Sequence, residues 1–228
     1  MNTSRRQFIK QVGITAGVLV GAMMVPQWVL SKEKHEEEEV SAVEDLMREH
    51  GLLERLLLVY EASIRRLTDN DDVPLELIHK AAKINRDFIE NYHEKLEEDY
   101  LFHRLLKANK QVALVNTLID QHQAGRRLTD NILDLSNSSN SFQRETLIQN
   151  ISQYITMYRP HASREDTVLF PAFKEIVSEK EYNELGEQFE EKEHQLFGEG
   201  GFQSVLEEVA ELEKQLGIDD LSKFTPSV

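Results

Sequence analysis

Six side chains of this sequence share the donor chemistry of a cation site: His50, His93, Glu97, His122, His161 and Glu165. His93 and Glu97, like His161 and Glu165, stand four residues apart. On a helix that spacing is one turn, so imidazole and carboxylate project the same way, one above the other. Such a pair can bind one metal or give one ligand to each of two. A lone histidine on an apolar face is more often a hydrogen-bonded core residue, but four of them, two with a carboxylate on the same face, are costly to bury without a cation. The chain has no cysteine, which excludes thiolate catalysis, disulfides and iron–sulfur clusters and leaves nitrogen and oxygen donors for any metal. Imidazole with carboxylate suits iron, manganese or zinc. Asp166 is the alternative to Glu165, whereas Glu98 beside Glu97 reads as a solvated charge.

These residues need helices to position them. Strand signals are poor, and apolar residues recur at three- and four-residue steps, so the chain reads as all-α. A first segment carries Val43, Leu46, Met47, Leu53, Leu57, Tyr60, Ile64 and Leu67, with His50 in the gap of the stripe; it closes in the turn-rich Thr68–Asp72. A second, from Pro74 to about Asn109, carries Ala81, Ile84, Phe88, Ile89, Tyr92, Leu96 and Tyr100, bordered by His93 and Glu97. A third, from about Lys110 to Leu135, sets His122 in register with Val115, Leu118, Ile119, Ile132 and Leu133. After Asn137–Ser141, a fourth runs Leu147, Ile151, Tyr154, Tyr158, His161, Glu165, Val168, Ala172, with Pro160 expected to bend it beside the site. Two more helices follow, one that Ser178 can cap with Glu181, the other between the Gly198–Gly201 break and Leu216; both are expected to pack outside the first four. His79, His103 and His194 read as surface residues. Tyr60, Tyr100, Tyr154 and Tyr158 read as core residues able to orient a ligand.

The order His50, His93-x-x-x-Glu97, His122, His161-x-x-x-Glu165, then Leu169-Phe170-Pro171, resembles the hemerythrin-like (HHE, cation-binding) family over residues 40–176. The resemblance implies an up-down four-helix bundle around two non-haem irons, with manganese or zinc the less expected metals, and with Glu97 and the fourth-helix carboxylate bridging them. Oxygen-carrying members have a second histidine one turn after the third-helix one, where this chain has Arg126. One iron would then be a protein ligand short, open to water, a tyrosine oxygen or an exogenous molecule, and reversible oxygen transport is put in doubt.

Residues 1–31 are of another kind, with Arg5, Arg6 and Lys10 as their only charges. Ser4–Lys10 resembles the twin-arginine export signal, which sends folded proteins across the inner membrane. Val12–Leu30 is about long enough to span a bilayer, and with no small-x-small motif before Ser31, retention as a membrane anchor is the alternative to cleavage. The domain reading is a signal or anchor at 1–31, a charged linker at 32–39, the bundle at 40–176 and a helical extension at 177–228. The net charge is -15, and loss of residues 1–31 would take it to -18. Such a field repels phosphate backbones, which argues against nucleic acid as a partner. The expected partners are the twin-arginine export machinery and a small molecule such as dioxygen or nitric oxide. The leading expectation is a di-iron protein that binds or senses such a ligand in the periplasm or on the outer face of the cytoplasmic membrane. The alternatives are a redox enzyme acting on peroxide, nitric oxide or ferrous iron, iron storage, or a non-catalytic acidic helical module.

Overall fold

The computed structural model describes residues 41–69, 71, 73–137 and 143–226. The segments expected to be a signal or anchor and a charged linker, and most of the turn before the fourth helix, lie outside these residues. Everything regular within them is helical, and no described helix is long and apolar enough to cross a membrane.

Helix α1 spans Ala42–Thr68. Ser41 caps it by accepting from the Glu44 amide, Glu44 and Asp45 sit in its first turn, and Arg65 and Arg66 in its last, each matching the helix dipole. Helix α2 begins as Leu75–Ile84 and continues to Lys107 through two π-helical stretches, Asn85–His93 and Glu97–Phe102. Asn109 and Gln111, both at positive φ, turn the chain into α3, Val112–Leu135. Helix α4 is Arg144–Arg164, continued through the π-helical Glu165–Leu169 to Lys174. Both His-x-x-x-Glu turns thus lie at π-helical stretches, which often mark functional sites. Ser178 caps α5, Glu179–Phe197, and α6 spans Gly201–Leu216.

Helix α4 packs along α3 and α1, while α2 closes against α1 and α3. Leu46, Leu53, Leu57, Phe88, Leu96, Leu118, Ile151, Phe170 and Phe173 fill the space between them. Met47, expected in the stripe, is 44% exposed; its neighbour Leu46 takes the inward place. Helices α5 and α6 lie on α1, and their Leu185, Phe189, Phe202, Val209 and Leu212 join the same apolar core. Phe197 and Phe202 meet Phe88, and Arg55 pairs with Glu213.

One glycine fixes how closely α3 approaches α4. A Cβ on Gly125 would fall 1.9 Å from the Tyr158 hydroxyl, whereas at Gly51, an exposed position of α1, it would meet nothing within 4 Å. Gly125→Ala must displace the buried tyrosine and is expected to cost about 1–3 kcal/mol. Gly51→Ala should gain about 0.5–1 kcal/mol from helix propensity. Thermal and denaturant unfolding of the two variants would check both signs.

Candidate metal centre

His50, His93, Glu97, His122, His161 and Glu165 come from four helices and meet in the interior, each at most 4% exposed. They form two triads, His50–His93–Glu97 and His122–His161–Glu165, and within each the donor atoms lie within 4.8 Å of one another. The histidines are divided evenly, two to a triad. His50 Nε2 stands 3.1 Å from His93 Nε2, and His122 Nε2 stands 3.2 Å from His161 Nε2. Each carboxylate also reaches the other triad: Glu97 Oε1 is 3.6 Å from His93 Nε2 and its Oε2 is 3.5 Å from His122 Nε2. Glu165 Oε2 lies 3.1 Å from His161 Nε2 and 3.4 Å from His50 Nε2.

Every one of the four imidazoles is held from behind through Nδ1. His50 meets Asp166 at 2.7 Å, His93 meets Glu49 at 2.8 Å, His122 meets Glu98 at 3.1 Å and His161 meets Gln121 Oε1 at 2.9 Å. All four partners are acceptors, so a neutral ring donates Nδ1–H outward and turns its Nε2 lone pair inward. This is the outer hydrogen bond that fixes tautomer and orientation in metal-binding histidines. The cavity is thereby lined with acceptors. Neither oxygen of Glu97 accepts a hydrogen bond although the residue is fully buried, and Glu165, equally buried, meets only the Nε2 atoms of His161 and His50. An unsatisfied buried carboxylate is costly, and a cation among these six donors removes the cost.

The electrostatics of the protein without metal carry the same strain. Burial, reinforced by Glu165 and Glu94, pushes the Glu97 carboxyl well above its usual range. Burial also acts upward on Glu165, but His161 and His50 outweigh it and hold this carboxyl well below. Burial drives His93 well down, with His50 adding to it, and takes His122 to about 4. For His50 burial is overcome by Asp166 and Glu165, which lift it to about 9. In the metal-free protein these two carboxylates therefore favour the protonated form of His50 at neutral pH.

The four outer partners escape the spacing argument, as does the pairing of Arg126. Asp166 faces the outer nitrogen of His50, so the inward carboxylate of α4 is Glu165. Glu98 is no solvated charge: it accepts from His122 and from Arg126, whose Nη2 lies 2.8 Å away. Arg126 turns to Glu98 and, at 2.8 Å, to Glu94, away from the six donors. Glu49 and Gln121 each immediately precede a candidate ligand, and that adjacency, repeated on α1 and α3, was the available signal. Tyr158 donates to the buried Glu94 and lays its ring 5.4 Å from that of His161. Glu193 of α5 joins Asp45 and Glu49 behind His93. His103 and His194 are exposed, and the half-buried His79 bonds to Ser136.

Comparison with known proteins fits this geometry. The family model described as the hemerythrin HHE cation binding domain matches residues 41–173. Uncharacterized proteins of Mycobacterium bovis and Mycobacterium tuberculosis are each 49% identical over 191 residues, 82% of this chain and 75% of theirs. No solved structure matches the chain significantly.

Proposed function

We propose, from the premise that this chain belongs to the hemerythrin HHE cation-binding family, that it is a non-haem di-iron protein binding dioxygen or a related small molecule such as nitric oxide. The observation that carries the reading is the buried cavity in which four imidazole nitrogens face two carboxylates, with neither oxygen of Glu97 accepting a hydrogen bond. His50 and His93 would hold one ion, His122 and His161 the other, and Glu97 and Glu165 would bridge them inside an up-down bundle of α1–α4. Iron bound there supplies reversible electron transfer and a Lewis-acidic position for a small molecule. Two imidazoles and two shared carboxylates would leave each ion room for an exogenous ligand.

The surrounding side chains do the rest. Asp166, Glu49, Glu98 and Gln121 keep the Nε2 atoms aimed inward, and Phe170 and Phe102 stack on His50 and His122 to shield the centre from bulk water. Because Arg126 contributes no donor, neither ion has a third histidine, which favours a second reading: an enzyme that reduces peroxide or nitric oxide or oxidises ferrous iron. The Ser4–Lys10 run supports delivery by the twin-arginine machinery to the periplasm or the outer face of the cytoplasmic membrane, with residues 12–30 as a membrane anchor if they are retained. The charge of -15 supports a partner other than nucleic acid.

Metal analysis of natively exported protein, with absorption spectra of its oxidised and reduced forms, tests the first reading. Two irons per chain and charge-transfer bands that change on exposing reduced protein to oxygen are expected; two equivalents of redox-silent zinc would sink it. Turnover with peroxide or nitric oxide, lost in His93→Ala, would move the assignment to the enzyme.

A further inference from the structure

The two halves of the centre are near copies. On α2 the series His93, Glu97, Glu98, Leu101, Phe102 and on α4 the series His161, Glu165, Asp166, Leu169, Phe170 repeat residue type and spacing. Phe102 stacks on His122 with centroids 5.4 Å apart, and Phe170 on His50 at 5.6 Å. The acid after each inward glutamate takes the Nδ1 atom of the lone histidine across from it, Glu98 for His122 and Asp166 for His50. In type and spacing the six inward donors are alike in the two halves.

The copy fails at one outer partner. The residue before each lone histidine accepts from the histidine of a neighbouring helix, and here a carboxylate and an amide of equal length stand at matching places. Glu49 takes His93 at 2.8 Å, and Gln121 takes His161 at 2.9 Å. A second difference acts the same way. The charge of Glu98 is shared with Arg126 and Lys95, each 2.8 Å away, so His122 faces a carboxylate already paired with cations. A carboxylate on Nδ1–H makes an imidazole a more basic ligand than an amide does, and such outer partners change metal affinity by about 10–100-fold.

We infer, resting on the reading of a two-ion centre, that its halves are inequivalent: the position between His50 and His93 is the stronger cation site and fills first, and the position between His122 and His161 fills second. Glu49 and Gln121 are the positioning residues that set this order, acting through the histidines they touch.

Zinc added stepwise to the metal-free full chain above about pH 9, where no proton on His50 competes with the first ion, with the imidazole nitrogens followed by NMR, tests it. The first equivalent is expected to shift Nε2 of His50 and His93, and the second those of His122 and His161. Gln121→Glu should narrow the ratio of the two stepwise dissociation constants by about tenfold or more, by strengthening the second site. Glu49→Gln should narrow it from the other side, weakening the first ion by a similar factor, with thermal melts showing that both variants fold. Parallel shifts of all four histidines, filling in the reverse order, or a ratio unmoved in both variants would overturn the inference and leave the two-ion centre standing. Fewer than two ions per chain would remove the centre and the inference together.

Discussion

Glu97→Gln is expected to stabilise the protein without metal while destroying its capacity to hold two ions. In the metal-free protein Glu97 is fully buried, faces Glu165 and the inward nitrogens, and accepts no hydrogen bond. Its carboxyl is raised well above the usual range, so the protein must either take up a proton there or bury a second carboxylate charge beside that of Glu165. A glutamine amide of the same shape donates where the carboxylate cannot. It supplies hydrogen bonds to a cavity whose inward groups other than His50 are acceptors, and the gain should reach about 1–3 kcal/mol near pH 8. For a raised carboxyl the folded state binds more protons than the unfolded one above pH about 4.3, so wild-type stability falls as pH rises toward the folded value. The advantage of glutamine should therefore shrink toward pH 5, where Glu97 is protonated in the folded state. In the presence of metal the order reverses, since the amide is a poor bridging ligand and the variant should retain at most one ion per chain. Melting curves at pH 5 and pH 8, with and without chelator, would show the crossing. A metal-free variant less stable than wild type at pH 8, or one that keeps two ions, would refute the acceptor-lined cavity.

The inward donors were legible because periodicity reports which face of a helix is buried. His50 falls in a gap of the α1 stripe, His161 continues the α4 stripe, and His122 keeps step with Leu118. The helices and the caps at Ser178 and Gly198–Gly201 follow from local chemistry, and the structure has them. What the pattern could not deliver is the ring of outer partners. Glu49, Glu98, Gln121 and Asp166 each adjoin an inward donor in sequence, so they project from the flank of the stripe, where a polar residue is equally at home in water. Only the packing of α1 against α4 and α2, and of α3 against α2 and α4, brings each flank to the back of a neighbour's imidazole. The same limit applies to α5 and α6: their amphipathic pattern marks an apolar face but not that the face covers α1. Arg126 shows the converse, since its place one turn after His122 was legible while its pairing with Glu94 and Glu98 was not.

Metal uptake should release protons, and the apparent affinity should rise steeply with pH. His50 must be neutral to offer Nε2, yet in the metal-free protein it is held at about 9, because Asp166 and Glu165 outweigh the burial that would lower it. Below that value each bound ion pair must first expel the His50 proton, so affinity gains about tenfold per pH unit from this group alone. Glu97, also raised, adds a second proton wherever it remains protonated, and the slope then approaches about a hundredfold per unit. His93 and His122, both lowered, are already neutral and contribute nothing to it. The same groups bound the stability of the metal-free fold. His50 contributes stability that is complete below 6.5 and is lost as pH rises to about 9. His93 and His122 subtract stability as pH falls below 6.5, because the unfolded chain protonates them and the folded one does not. The metal-free protein should therefore be most stable near neutrality, and metal should flatten its alkaline limb. Titration calorimetry with zinc in buffers of different ionisation enthalpy counts the released protons directly. A count near zero at pH 7, with an affinity that does not move between pH 6.5 and 8.5, would mean that no proton occupies the place of the cation and that His50 is not a ligand.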